Sequence, residues 1–231
     1  MKIQIKITLN EALFLRDPED TKLGKKILES SIILIHKLGF EKFTFKKLAE
    51  EIDSNEQSIY RYFENKHQLL KYLVAWYWAW LEYQLEIKTA YINEPNEKLK
   101  IVLKILSDSV KRDPNFDHID EAILAHIVTK TAPISYITDE VNDKEIENIL
   151  SSFDSLVFKI SVIIKECIPN YKTPKALATS IIRLTREQIF FSKYFTNLTE
   201  LKTSDEDTSE VFNFVENLVF TIIEKENINL L

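Results

Sequence analysis

The chain has 231 residues, 45% hydrophobic and 29% charged, which is enough apolar material for a core and too much for a disordered chain. Only 2 residues are glycine, and that excludes folds needing several positive-φ or close-approach positions: a P-loop, a dinucleotide fingerprint, a glycine-turned β-sandwich. The net charge is −6, yet residues 22–71 hold ten Lys/Arg against seven acids, so a mildly basic head sits on an acidic body.

In chain order, residues 3–9 read Ile-Gln-Ile-Lys-Ile-Thr-Leu, a period-two pattern that predicts a short N-terminal strand or an extended arm. Asp17 followed by Pro18 predicts a helix start, with the helix running to about Leu38 and closing on Gly39 as a left-handed cap. Thr44 caps a short helix from Phe45 to Ile52, Asp53-Ser54-Asn55 is a turn, and Asn55 caps a second short helix from Glu56 to Phe63. Asn65 caps a long helix from Lys66 to about Ile92. Further helices are predicted at about 96–112, 119–130, 141–167, 174–196 and 207–226, with breaks at Asp113-Pro114, Thr131-Ala132-Pro133, Pro169 with Pro174, and the polar run 203–208. No repeat or low-complexity tract interrupts them. The expectation is an all-α chain of about nine helices with a three-helix head.

The head carries the chemistry. Two short helices joined by a tight turn make a helix-turn-helix, whose second helix fits a major groove. That second helix is short and polar, with Ile59 and Phe63 facing inward and Gln57, Ser58, Tyr60, Arg61 and Tyr62 expected outside. Gln reads adenine, Arg reads guanine or a phosphate, and Thr44 at a helix start offers a hydroxyl and free N–H groups to a phosphate.

Gly39-Phe40-Glu41-Lys42-Phe43-Thr44-Phe45-Lys46-Lys47-Leu48-Ala49, followed by Ser58-Ile59-Tyr60-Arg61-Tyr62-Phe63-Glu64-Asn65-Lys66-His67-Gln68-Leu69-Leu70, resembles the DNA-binding domain of TetR-family transcriptional regulators over about residues 20–72. Asp53 stands where that family usually has Gly, Ser54 where a small apolar residue is usual, Asn55 replaces a Ser cap, and Gln57 replaces Gly or a small residue. The resemblance implies a dimeric regulator of double-stranded operator DNA, most often a repressor, controlled by a small-molecule effector. The expected DNA-binding residues are Thr44, Lys46, Asn55, Gln57, Ser58, Tyr60, Arg61, Tyr62 and Lys66, with Gln57 reading a base and Lys66 holding a phosphate. The expected domains are an arm at 1–16, the helix-turn-helix domain at 17–68 and an effector-binding and dimerisation domain at 69–231.

Trp76, Trp80 and Tyr83 share a helix face, read as a core seam ahead of an aromatic ligand cage. The last two helices carry two apolar stripes each, and the resemblance implies a dimer interface there. Phe212, Val219 and Ile223, with Phe190 and Tyr194, are expected to face the partner, while Val211, Val215, Leu218 and Ile222 face the monomer core. The effector has no signature beyond the many aromatics, which favour an apolar or amphipathic molecule.

No enzyme is expected. His118, Asp120, Glu121 and His126 form the one cluster suggesting metal or acid–base chemistry, but the histidines are eight apart, outside the i, i+4 spacing of a helical chelate. Cys167 has no basic neighbour to make it a nucleophile, and a single cysteine allows no internal disulfide. No cofactor or metal is expected. With no signal-like N-terminus and no apolar run long enough to span a bilayer, a cytoplasmic protein is expected. The alternative reading is a helical ligand-binding or scaffold protein whose head makes protein contacts.

Overall fold

The computed structural model describes residues 6–113, 115–136, 143–204 and 206–228. Among them are nine α-helices and no strand: α1 (Lys22–Leu38), α2 (Phe45–Glu51), α3 (Glu56–Tyr60), α4 (Lys66–Thr89), α5 (Pro95–Asp108), α6 (Glu121–Tyr136), α7 (Asp143–Cys167), α8 (Pro174–Tyr194) and α9 (Ser209–Ile228). Short 3-10 turns at Glu11–Leu13 and Pro18–Asp20 precede α1. The all-α reading holds.

The chain groups into two compact units, Met1–Trp80 with Arg112–Phe153, and Leu81–Lys111 with Asp154–Leu231. In the first, α1 packs against α2 and α6; in the second, α5, α8 and α9 pack on one another. This grouping divides α4 after Trp80, a different place from the 68/69 boundary read in the sequence.

Both glycines have a positional reason. A Cβ on Gly24 would lie 2.2 Å from the Pro18 carbonyl oxygen, so the 3-10 turn can lie against α1 only because that side chain is missing. Gly39 ends α1 at φ 79° and ψ 152°, donating its N–H to the Ile35 carbonyl at 2.9 Å. Its φ is positive as expected, but its ψ is extended, a combination that essentially only glycine adopts rather than the left-handed helical cap of the sequence reading.

Several boundaries differ from expectation, among them the start of α1, the ends of α3 (Tyr60) and α5 (Asp108), and the end of α6. Asp17 accepts the Glu19 N–H and starts only the 3-10 turn, while Thr21 accepts the Gly24 N–H at 2.9 Å and caps α1. Helix α6 does not break at Thr131-Ala132-Pro133 but continues to Tyr136. Pro133 has no N–H to donate to the Thr129 carbonyl, so α6 does without one bond of its ladder there. At the N-terminus, residues 6–10 form no strand in this chain, although Ile7 is buried between exposed Lys6 and Thr8. Burial runs exposed, buried, exposed, half-buried, exposed along residues 6–10; Ile3 and Ile5 lie outside the described residues.

Candidate nucleic-acid interface

Polar caps set the geometry of the head. Thr44 caps α2, its Oγ1 accepting the Lys47 N–H at 3.3 Å. The end of α2 is a full Schellman closure: the Ser54 N–H reaches the Ala49 carbonyl at 2.9 Å, the Asp53 N–H lies 3.4 Å from the Glu50 carbonyl, and Asp53 takes φ 53°. Lys26 of α1 donates to the Ile52 carbonyl at 2.8 Å and ties the turn to the rest of the head. Asn55 caps α3, its Oδ1 accepting both the Ser58 N–H at 2.9 Å and the Ser58 hydroxyl at 3.1 Å. Thr44 and Asn55 are therefore capping groups first. Their remaining exposure, with the uncapped N–H groups of the first turns, is what is left for a phosphate.

Helix α3 presents one outer face. Ile59 and Phe63 are fully buried, and Gln57, Tyr60 and Arg61 are exposed. Tyr60 meets the ring of Phe45 edge-on at 5.1 Å, which holds it upright beside the start of α2. Lys46 is exposed next to Thr44, and Ser58 is half-buried with its hydroxyl turned to Asn55. Gln57, Tyr60, Arg61, Thr44 and Lys46 thus stand on the accessible side of the two short helices.

Tyr62 does not. Its side chain is 2% exposed, and its hydroxyl shares a 2.7 Å hydrogen bond with Thr21 Oγ1. The Arg16 guanidinium covers the ring at 5.6 Å. The sequence expectation that Tyr62 lies outside is corrected: it stands three residues after buried Ile59, beside the inner face, and past the end of α3 at Tyr60 it is held in by Leu15 and Thr21. Thr21, Leu15 and Arg16 were missed because Asp17-Pro18 gave a stronger helix-start signal than Thr21.

Lys66 is half-buried. Its Nζ donates to the Phe40 and Glu41 carbonyls, each at 3.2 Å, and lies 4.7 Å from the centre of the Phe40 ring. A cation in the first turn of α4 opposes the helix dipole, and these two carbonyls with the ring offset that cost inside the protein. A phosphate is not needed to explain its placement.

Residues 27–73 match the sequence signature described as bacterial regulatory proteins, tetR family. Over these residues the head carries the tetR-family signature. Over most of its length the chain also has the fold of solved TetR-family regulators. A putative TetR-family transcriptional regulator from Syntrophomonas wolfei is 16% identical, covering 86% of this chain and 93% of that one, with a TM-score of 0.63. A tetR-family regulatory protein from Rhodococcus RHA1 is 13% identical over 86% and 96% of the two chains, TM-score 0.64. AibR, in a structure with isovaleryl coenzyme A and operator DNA, is 17% identical over 83% and 96%, TM-score 0.59. No curated protein matches the sequence as a relative.

Outside the head, two of the three α9 residues expected to face the partner, Val219 and Ile223, are corrected to the monomer core. Val219 and Ile223 are buried in the monomer, continuing Val211 and Val215 in a single i, i+4 stripe. Leu218, assigned to the core, is 43% exposed and Phe214 is 40% exposed, while Ile222 is half-buried. Phe212 is half-buried with the Lys104 ammonium 5.3 Å from its ring centre. On α8, Tyr194 is exposed, and half-buried Phe190 stacks on it at 5.1 Å.

The cluster weighed for metal or acid–base chemistry is divided among separate contacts. His118 Nε2 lies 2.8 Å from Glu19 Oε1, and His126 meets the ring of His36 edge-on at 5.0 Å. Asp120 accepts the Ile123 N–H at the start of α6. Glu121 is fully buried; one oxygen accepts the Asp113 N–H at 2.9 Å and the other finds no partner. Burial pushes its carboxyl up to about 8, helped by the nearby Asp113 and Asp120 charges and opposed by hydrogen bonds from backbone N–H groups. The Cys167 thiol is raised to about 11 by burial and by Glu166, the opposite of nucleophile activation. Trp76 and Trp80 are buried, and the Trp80 indole N–H donates to Asp113 at 3.1 Å.

Proposed function

We propose that this chain is a DNA-binding transcriptional repressor that grips a pseudo-palindromic operator as a homodimer and is released by a small-molecule effector. The observation that carries the reading is the outer face of α3, where Gln57, Tyr60 and Arg61 stand exposed on a capped helix beside Thr44 and Lys46. One such helix enters one major groove, and two copies read half-sites about one helical turn (~34 Å) or slightly more apart. Gln57 reads a base; Arg61, Lys46, Thr44 and the Tyr60 hydroxyl position the helix on the backbone, with Asn55 and Ser58 holding its N-terminal end.

The dimer seam lies on α8 and α9, at Phe214 and Leu218 with Phe190, Tyr194 and Phe212. Exposed apolar side chains on two mutually packed helices support this placement. The working domains are the arm at 1–16, the reading head at 17–68 and the effector and dimer domain at 69–231. The likeness to AibR supports an effector-operated switch, and the aromatic content favours an apolar or amphipathic ligand. No helix among the described residues is long and apolar enough to cross a membrane, in keeping with action on DNA in the cytoplasm.

The deciding experiment is selection of duplexes from a randomised pool by the purified protein, followed by titration at several salt concentrations. The expected result is enrichment of a pseudo-palindrome bound with a steep salt dependence. Gln57→Ala then costs about 1–3 kcal/mol on the selected duplex and nearly nothing on a scrambled one. A protein that retains no duplex even at low salt is instead a helical scaffold whose head contacts proteins.

A further inference from the structure

We propose that the segment from Asn10 to Thr21 is a bracket that fixes the orientation of the DNA-reading helix, with Tyr62 as its latch. The proposal rests on the DNA-binding reading above and adds what holds α3 in register. A five-residue helix is far too short to be stable alone, so the direction of its outer face is set by what grips its two ends. Asn55 grips the first end through Ser58.

The second end is gripped by chain that precedes the whole helix-turn-helix. The Leu15 N–H donates to the Tyr62 carbonyl at 2.8 Å. The Tyr62 hydroxyl lies 2.7 Å from Thr21 Oγ1, the same oxygen that caps α1 by accepting the Gly24 N–H at 2.9 Å. Arg16 closes over the ring at 5.6 Å. The residue directly before Tyr62 is Arg61, and Tyr60 stands two before it, both on the exposed face. A shift of the latch is therefore transmitted to them within one or two residues.

The bracket is itself anchored. Gln68 Nε2 donates to the Ala12 carbonyl at 2.9 Å, Leu13 is buried, and Phe14 meets the Tyr72 ring edge-on at 6.0 Å. These contacts reach the first turns of α4, so the segment spans from α4 across to the end of α3. Tyr62 is a positioning residue: it sets the angle of α3, on which the base contact of Gln57 depends, and does not touch DNA, while the backbone contacts of Tyr60 and Arg61 tolerate a small tilt.

Two variants remove the latch with the least other damage. Tyr62→Phe deletes one oxygen and keeps the buried ring. Leu15→Pro removes the N–H bonded to Tyr62; the Leu15 side chain is exposed, and Phe14 before it is already extended at φ −152° and ψ 158°, as a residue preceding proline must be. The probes are the duplex selected by the wild-type protein and a scrambled duplex of equal length. Each variant is expected to bind the selected duplex about fivefold more weakly, near the worth of one net hydrogen bond. Binding to the scrambled duplex and the salt slope are expected to stay at wild-type values. In the free protein, hydrogen exchange should accelerate at the amides of residues 58–63 and remain unchanged in α1.

Equal weakening on both duplexes with a shallower salt slope would mean that Tyr62 touches a phosphate and would overturn the bracket. So would unchanged affinity together with unchanged exchange. If the wild-type protein selects no duplex, the DNA-binding reading fails; unchanged exchange at residues 58–63 then overturns the bracket as well, whereas accelerated exchange leaves it standing as a local tie.

Discussion

Helices α3 and α9 teach opposite lessons about what holds a helix face in place. Helix α3 has five residues and is positioned by polar bonds at its ends, from Asn55 at one and from Leu15 and Thr21 at the other. Helix α9 has twenty residues and is positioned by a stripe of four β-branched side chains, Val211, Val215, Val219 and Ile223. Caps leave one geometry because a hydrogen bond has a direction. An apolar stripe leaves several, because Val, Leu, Ile and Phe all satisfy the same burial and only packing against α5 and α8 selects among them.

The strongest way to break the comparison is to charge neighbouring positions of α9. Val219→Asp places a carboxylate in the core of the second unit and should cost more than about 3 kcal/mol, read as a large fall in thermal midpoint. Leu218→Lys, one residue earlier, should leave the midpoint nearly unchanged and, with the proposed seam, turn a sedimenting dimer into a monomer. If Val219→Asp instead leaves a folded monomer, the buried stripe is the partner face after all.

Glu121 is a counterexample to the well-satisfied polar groups of the head, since one of its buried oxygens has no partner. Its folded carboxyl titrates at about 8 against an ordinary value of 4.5, so the folded state holds a proton that the unfolded chain gives up. Stability is therefore lost progressively as pH rises from about 4.5 to about 8, and is unaffected by this group below that window. Thermal midpoints of wild type and Glu121→Gln, compared across pH 4 to 9, should diverge with rising pH in favour of the variant. Parallel curves would show that Glu121 is ionised when folded.

What was legible in the sequence follows the same division. The starts of α2, α3 and α4 could be read because Thr44, Asn55 and Asn65 cap them with their own side chains. The turn was readable because Asp53 tolerates the left-handed conformation. The outer face of α3 could be read only as far as Tyr60, since the burial of Tyr62 depends on Leu15, Arg16 and Thr21, more than forty positions earlier in the chain. On α9 periodicity correctly reported an amphipathic helix, but Val211-Val215-Leu218-Ile222 and Val211-Val215-Val219-Ile223 both satisfy it. The buried polar network of Asp113, Glu121 and Trp80 carried no sequence signal, because acids before a helix start usually signify solvated caps.

A smaller effect separates a tie within the head from a contact to DNA. Lys66→Met removes the two bonds to Phe40 and Glu41 and should lower the stability of the protein to urea by about 1 kcal/mol, discounted for its partial exposure. The salt slope of DNA binding should stay as in wild type. A slope lower by about one unit per subunit, with stability unchanged, would return Lys66 to the phosphate role that the sequence suggests.

The smallest expected effect, that of Asp53→Gly, tests the turn between α2 and α3. Asp53 sits at φ 53°, where a non-glycine residue bears a modest conformational cost and where the Schellman bonds from Asp53 and Ser54 require it to stay. Asp53→Gly removes that cost but enlarges the freedom of the unfolded chain, so the two terms oppose and the net gain should stay below about 1 kcal/mol. Asp53→Val should do the reverse, because a β-branched side chain in this region costs about 1–3 kcal/mol. The order Gly above Asp above Val in thermal midpoint would confirm that the left-handed residue governs the turn. A valine variant as stable as wild type would mean that the turn relaxes out of that conformation, and the caps would then fix α3 less firmly than the comparison with α9 requires.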